Sequence, residues 1–285
     1  DAMAWLPWTL LGVDTIIDKR RVVIWSTLVF AGVVLTGHYQ SALLTAAGTG
    51  LYALWRFSLL RPARWPKTGS RLALNLVCAA ALTLPAVLPS LERYPHTERA
   101  ILQLEPWRGY QWPLDMAIDL VAPGFHGRGT LGFWAPWARV EGGYAGALTV
   151  FLALGSLLLS RRYRRIGFVV LLGTLSVLFA LGHDGPIYPW LAEIDLVARM
   201  HKTARSIFLL AFALSVAGAA GFEALTSAKR FGYFIWVVAV VGLSAALVCG
   251  TAVALAVVPG EQHADAVAAL SIAAGAGLMV VAMSW

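Results

Sequence analysis

The chain has 285 residues, of which 59% are hydrophobic and 13% charged, with a formal net charge of +7. Soluble domains carry about 25% charged residues, so there is too little charge here to cover a water-facing surface. The mean hydropathy of +0.72 likewise excludes a disordered chain and a collagen-like repeat, and it argues against nucleic-acid binding.

Apolar runs broken by charge clusters predict nine membrane segments, at roughly 2–17, 22–37, 39–56, 72–89, 146–160, 166–182, 206–225, 232–258 and 266–285. Strand-like alternation is missing, and backbone facing lipid must bond within its own segment, so every segment reads as a helix. The expectation is an all-α polytopic transmembrane bundle forming a single domain over residues 1–285. Several segments fall short of the ~20 residues that span a bilayer. Pro7, Gly48 and Pro85 in the first, third and fourth mark these as half-helices or as closely packed ones.

Two longer connections separate the helices. Residues 90–144 carry Trp107, Trp112, Trp134 and Trp137 among prolines and glycines, and 182–205 form the second loop. Within the first, the stretch from Tyr110 to Pro123 is apolar on one side and reads as a short helix lying in the membrane interface. Neither loop has the Ser/Gly composition of a flexible tether, so both are expected to be ordered and to cap one end of the bundle.

Charge sets the orientation. Lys19-Arg20-Arg21, the cations from Arg56 to Arg71, Arg161 to Arg165, and Lys229-Arg230 follow alternate segment boundaries. That side holds 14 of the 22 basic residues but only Asp14, Asp18 and Glu223 of the 15 acids, a balance of +11. The opposite side holds 8 basic and 12 acidic residues, a balance of −4. This is the asymmetry of the positive-inside rule, so the basic character reflects topology rather than a nucleic-acid partner. All six histidines and both long loops fall on the external side.

Cys78 and Cys249 lie inside apolar runs, where thiols act as small hydrophobes. The start at Asp1-Ala2-Met3 has no signal-peptide pattern, and the chain stops at Trp285 against an apolar run. Both ends read as cut, so a fragment of a longer protein is expected.

Three polar constellations stand on the external side. His38 and Gln40, at the tight break Gly37-His38-Tyr39-Gln40, have the chemistry to bind a headgroup or sugar hydroxyl, or else to satisfy backbone groups freed by the turn. Glu92 and Glu141 sit at helix ends, where a carboxylate orients an acceptor hydroxyl or acts as a base; Glu141 equally suits a helix dipole. Arg199, Lys202 and Arg205 follow a three-residue spacing that puts them on one side of a helix. Cations on that side of the membrane match a lipid phosphate or pyrophosphate, or pair with Glu193 and Asp195. His183 and Asp184 add a titratable pair in a Gly-His-Asp-Gly turn. No phosphate loop, zinc motif, dinucleotide fingerprint or nucleophile elbow is present, and neither a metal site nor a cofactor is predicted.

A resemblance follows from the order of short motifs. Trp5-Leu6-Pro7, Gly37-His38-Tyr39-Gln40, Leu88-Pro89-Ser90-Leu91-Glu92, Glu141-Gly142-Gly143-Tyr144-Ala145-Gly146, Lys202-Thr203-Ala204-Arg205 and Ala217-Gly218-Ala219-Ala220-Gly221 occur in that sequence. In this the chain resembles the YfhO family, bacterial multispanning membrane proteins related to the GT-C glycosyltransferases. Tyr39 stands where the family often has proline, and His201 and Thr203 where arginine and proline are expected. The resemblance implies a protein of the bacterial cytoplasmic (inner) membrane. It further implies transfer of a sugar from a polyprenyl-phosphate donor to a cell-envelope acceptor on the outer face. It places the catalytic acid in a first extracytoplasmic loop upstream of Trp5, so no catalytic residue is assigned within this chain. Membrane lipids and the lipid-linked sugar are the expected partners. The rival readings are a transporter or flippase of a lipid-linked intermediate and a non-catalytic subunit of a membrane assembly.

Overall fold

The computed structural model describes residues 2–18, 24–96, 111–122, 125–126, 144–159, 163–198, 200, 202–226, 230–257 and 263–283. Among them all regular structure is helical. Helices α1 (Leu6–Asp18), α2 (Ile24–Leu35), α3 (Tyr39–Ser58) and α4 (Trp65–Arg93) come first. Then follow α5 (Ala147–Leu159), α6 (Tyr163–Ala180), the one-turn α7 (Tyr188–Leu191) and α8 (Asp195–Ala198), α9 (Ile207–Thr226), α10 (Arg230–Val257) and α11 (His263–Met283). Each of the nine apolar segments read from the sequence falls on one of the longer helices.

Three helical segments are long and apolar enough to cross a membrane among the described residues: Pro62–His96, Thr203–Thr226 and His263–Ala282. Shorter apolar helices run over Ile24–Leu35, Ala147–Leu158, Ile166–Ala180 and Tyr233–Leu247. Large apolar side chains such as Leu54, Val77, Phe222, Phe234 and Met279 point away from the packed interior. In water such a surface would be costly; against lipid tails it is not. These features mark a membrane protein.

The prolines and glycines flagged in the sequence do not split the helices. Pro7 sits at the second position of α1, where its missing N–H has no intrahelical partner to lose. Gly48 lies buried within a continuous α3, and α4 runs uninterrupted through Pro85 and Pro89.

The chain forms two compact units, residues 1–106 and 107–285. In the first, α1 packs on α2 and α3, and α2 on α4, around Val13, Ile16, Phe30, Ala31, Ala53 and Ala79. Polar side chains join the same helices. Ser26 and Thr27 of α2 both donate to the Asn75 Oδ1 of α4, at 3.0 and 2.9 Å, with Asn75 fully buried. Between α1 and α3 runs a ladder of i, i+4 pairs. The Tyr52 hydroxyl donates to Asp14 (2.8 Å), and Arg56 reaches Asp14 (3.1 Å) and Asp18 (2.9 Å).

The second unit is organised around α5. Helix α9 packs along α5 and α6, while α10 and α11 pair with each other and with α5. Phe151, Trp236, Val240, Leu270 and Ala273 form its core. Ala217, Gly218 and Gly221 give α9 a face of small residues. A Cβ at Gly218 would stand 3.0 Å from Thr149 Cγ2, and one at Gly221 would collide with the Leu152 carbonyl. Close approach of backbones is how helices associate in lipid, where no hydrophobic effect drives them together.

Candidate functional site

Of the site residues predicted in the second unit, His183, Asp184, Lys202 and Arg205 lie on the connections that meet at the end of α6. That helix ends at Ala180, and Gly182 takes the left-handed conformation (φ +59°) that turns the chain back. A Cβ there would lie 2.8 Å from Gln111 Cβ and 2.9 Å from Thr203 Oγ1, so both backbone sterics and space demand glycine.

The Ala180 carbonyl receives the backbone N–H of Trp112 at 2.8 Å and the Thr203 hydroxyl at 3.2 Å. The Gln111 side-chain amide donates to Asp184. Two serines add a buried reciprocal tie: Ser206 Oγ donates to the Ser176 carbonyl (2.8 Å) and Ser176 Oγ to the Ser206 carbonyl (2.5 Å). The segments 111–122, 180–188 and 202–206 are thus bonded into one cluster.

Lys202 and Arg205 are both half-buried in this cluster. They do not share the continuous helix that the three-residue spacing implies. Lys202 has non-helical backbone (φ −120°, ψ 76°), and a 3-10 turn over Thr203–Ser206 begins immediately after it and leads into α9. The Thr203 hydroxyl pins the start of this turn to the Ala180 carbonyl at the end of α6, a tertiary bond that the local spacing does not show. Both cations stand at the N-terminal end of α9, where the helix dipole is positive and adds to their field. His183 is exposed and meets Tyr188 edge-on at 4.9 Å, and Tyr188 in turn packs on Phe179 at 5.5 Å. Arg199 and Glu141 lie outside the described residues.

His38, Gln40 and Glu92 belong to the first unit. His38 caps α3, its Nδ1 accepting the Ser41 N–H at 3.2 Å, which is the turn-satisfying role open to it from sequence. Gln40 is buried one step further on, and Glu92 is exposed in the last turn of α4.

The stretch 111–122 is a 3-10 helix over Leu114–Leu120 rather than an α-helix. Its apolar side is taken up by protein: Trp112 (1% exposed) and Met116 pack with Ala180, Ala204 and Ile207. Further along, His126 Nδ1 meets Asp119 Oδ2 at 2.6 Å, both buried, and Phe125 packs edge-on against the imidazole. The pair clasps the loop onto itself. Trp107, Trp134 and Trp137 lie outside the described residues.

Gln111 and Trp112 were not singled out by sequence as polar site residues. Both present a buried polar atom, Gln111 Oε1 and Trp112 Nε1, that has no hydrogen-bond partner among the described residues. Their only sequence signal is a Gln-Trp-Pro run inside an aromatic-rich loop. No three His, Cys, Asp or Glu side chains gather among the described residues. In comparison with known proteins, the chain matches no family model, no curated sequence and no solved structure.

Proposed function

We propose that this chain is part of a GT-C-like glycosyltransferase of the YfhO kind in the bacterial cytoplasmic membrane. In this reading the nine longer helices among the described residues all span the bilayer, and the clustered loops of the second unit face outward. A polyprenyl-phosphate-linked sugar is the donor and a cell-envelope glycan or lipid the acceptor. Lys202 and Arg205, with Arg199, hold the donor phosphate by charge-assisted hydrogen bonds. His183 and Asp184, with Glu141, serve the sugar.

The observation that carries the reading is the bonded cluster at the end of α6. It gathers two half-buried cations at the positive end of α9 beside the Asp184–Gln111 pair. Trp112 Nε1 and Gln111 Oε1, which have no hydrogen-bond partner among the described residues, add a buried donor and a buried acceptor. Phosphate beside hydroxyls is the chemistry that such a set complements, since buried polar groups left unmatched are costly.

The test uses the full-length protein in membrane vesicles with a labelled polyprenyl-phosphate sugar. Arg205→Ala and Lys202→Ala should each lower donor affinity or transfer by about 10²-fold, the usual cost of losing a charge-stabilising contact. Unchanged affinity and transfer in both variants would overturn the proposal. Passage of the labelled donor across the bilayer with no sugar transferred would favour the transporter reading instead.

A further inference from the structure

A second charged surface lies in the first unit, on residues that the proposed function does not use. Between α3 and α4 the chain runs Leu59-Leu60-Arg61-Pro62-Ala63-Arg64-Trp65-Pro66-Lys67, followed by Arg71. Arg61, Arg64 and Lys67 are exposed and Arg71 is half-buried. No acidic residue occurs anywhere from position 19 to position 91. Arg56, the nearest cation before them, is already held by Asp14 and Asp18. Among the described residues none of the four later cations has a carboxylate partner.

Their placement is held in shape. The Arg64 N–H bonds the Arg61 carbonyl at 2.9 Å, the Leu60 N–H bonds Phe57 O at 2.9 Å, and Trp65 Nε1 donates to the same Phe57 carbonyl at 3.2 Å. Pro62 and Pro66 fix two further backbone angles. From Arg64 on, steps of three and four residues bring Arg64, Lys67 and Arg71 to one side of the start of α4.

That start is also the positive end of a helix dipole, with no acid in its first turn. Cations there work against the dipole, so neither helix stability nor internal pairing accounts for them. An external anion would neutralise both. Leu59 and Trp65, each 47% exposed, stand beside the cations as apolar anchors of the kind found at headgroup depth. The helix they introduce is one of those long enough to cross a membrane.

We propose that Arg61, Arg64, Lys67 and Arg71, with Trp65, form a binding surface for the phosphates of anionic phospholipids. The occupant is a headgroup of the surrounding membrane, because the cations and the apolar anchors lie together at the entry of a spanning helix. A free anion would use the charge but leave Leu59 and Trp65 without purpose.

The full chain, purified in detergent and offered equal amounts of phosphatidylglycerol and phosphatidylcholine, provides the test by native mass spectrometry. The anionic lipid should be retained in clear excess. The excess should fall roughly fivefold for each cation removed at low ionic strength across Arg64→Gln, Lys67→Gln and their combination, and persist in Arg64→Lys. Equal retention of the two lipids by the unaltered chain would overturn the proposal. So would an undiminished excess in folded variants, or displacement of the lipid by millimolar inorganic phosphate.

Since removing these cations can disturb insertion, a second measurement leaves them in place. Brominated phosphatidylglycerol should quench the indole of Trp65, taken as the difference between the unaltered chain and Trp65→Phe, more than brominated phosphatidylcholine does. Equal quenching by the two lipids would refute the surface.

Discussion

Gly221 of α9 lies against Leu152 of α5 so closely that a single methyl group at position 221 would run into the Leu152 carbonyl oxygen. One turn earlier Gly218 is also tight, a Cβ there standing 3.0 Å from Thr149 Cγ2 and 3.2 Å from its carbonyl oxygen. The two glycines therefore set the distance between the helices that carry the second unit.

Gly221→Ala should accordingly lower stability by about 1–3 kcal/mol or more, the cost of overpacking a tight contact. Gly50→Ala, in open space on α3, should be neutral or raise stability by up to about 1 kcal/mol through helix propensity. Unfolding midpoints of the two variants in mixed micelles compare the effects directly. Equal midpoints would show that the helices separate freely.

Asn75 is the hub of the α2–α4 contact, taking hydrogen bonds from Ser26 and Thr27. Replacing it with alanine removes the acceptor that both hydroxyls use and should destabilise the first unit by about 1–3 kcal/mol. Ser26→Ala alone should cost less, about 0.5–1 kcal/mol, as single polar contacts between membrane helices do. A double-mutant cycle between positions 26 and 75 should return a positive coupling, and zero coupling would mean the hydroxyls are satisfied elsewhere.

At Gly182 the left-handed backbone and the crowding by Gln111 and Thr203 coincide. Gly182→Ala should cost about 1–2 kcal/mol from backbone strain alone and loosen the Gln111–Asp184 bond. The measurable sign is faster proteolysis within residues 111–126, with the distant α10–α11 pair cut at its usual rate. A variant as resistant as the unaltered chain would show that this turn does not hold the loop.

The charge balance predicts which loops face which way. In a background lacking Cys78 and Cys249, Leu114→Cys and Trp190→Cys, both at exposed positions, should react with an impermeant thiol reagent from outside the cell. Arg61→Cys should react only after the membrane is opened. The reverse pattern would invert the orientation and move the cation cluster of Lys202 and Arg205 to the inner face.

Composition and the spacing of apolar runs were sufficient to find every longer helix among the described residues, because an apolar helix needs a continuous apolar stretch and that stretch is written in consecutive residues. The small-residue run Ala217-Gly218-Ala219-Ala220-Gly221 was visible in the same way. What consecutive residues do not encode is who meets whom across the fold. The Asp14–Tyr52–Arg56 ladder joins positions 38 or more residues apart, and its only trace is a pair of i, i+4 polar steps in two apolar helices. Likewise, Lys202 stands outside helical geometry, next to a Thr203 whose hydroxyl bonds a carbonyl 23 residues away, and the local three-residue spacing shows neither. Trp112 is buried against Ala180, Ala204 and Ile207, residues far along the chain that its own stretch of sequence does not point to. Local periodicity determined the elements, whereas the partners of isolated polar groups were decided by tertiary packing. Hydrogen bonds from such groups are satisfied by whatever the fold brings near, regardless of distance along the chain.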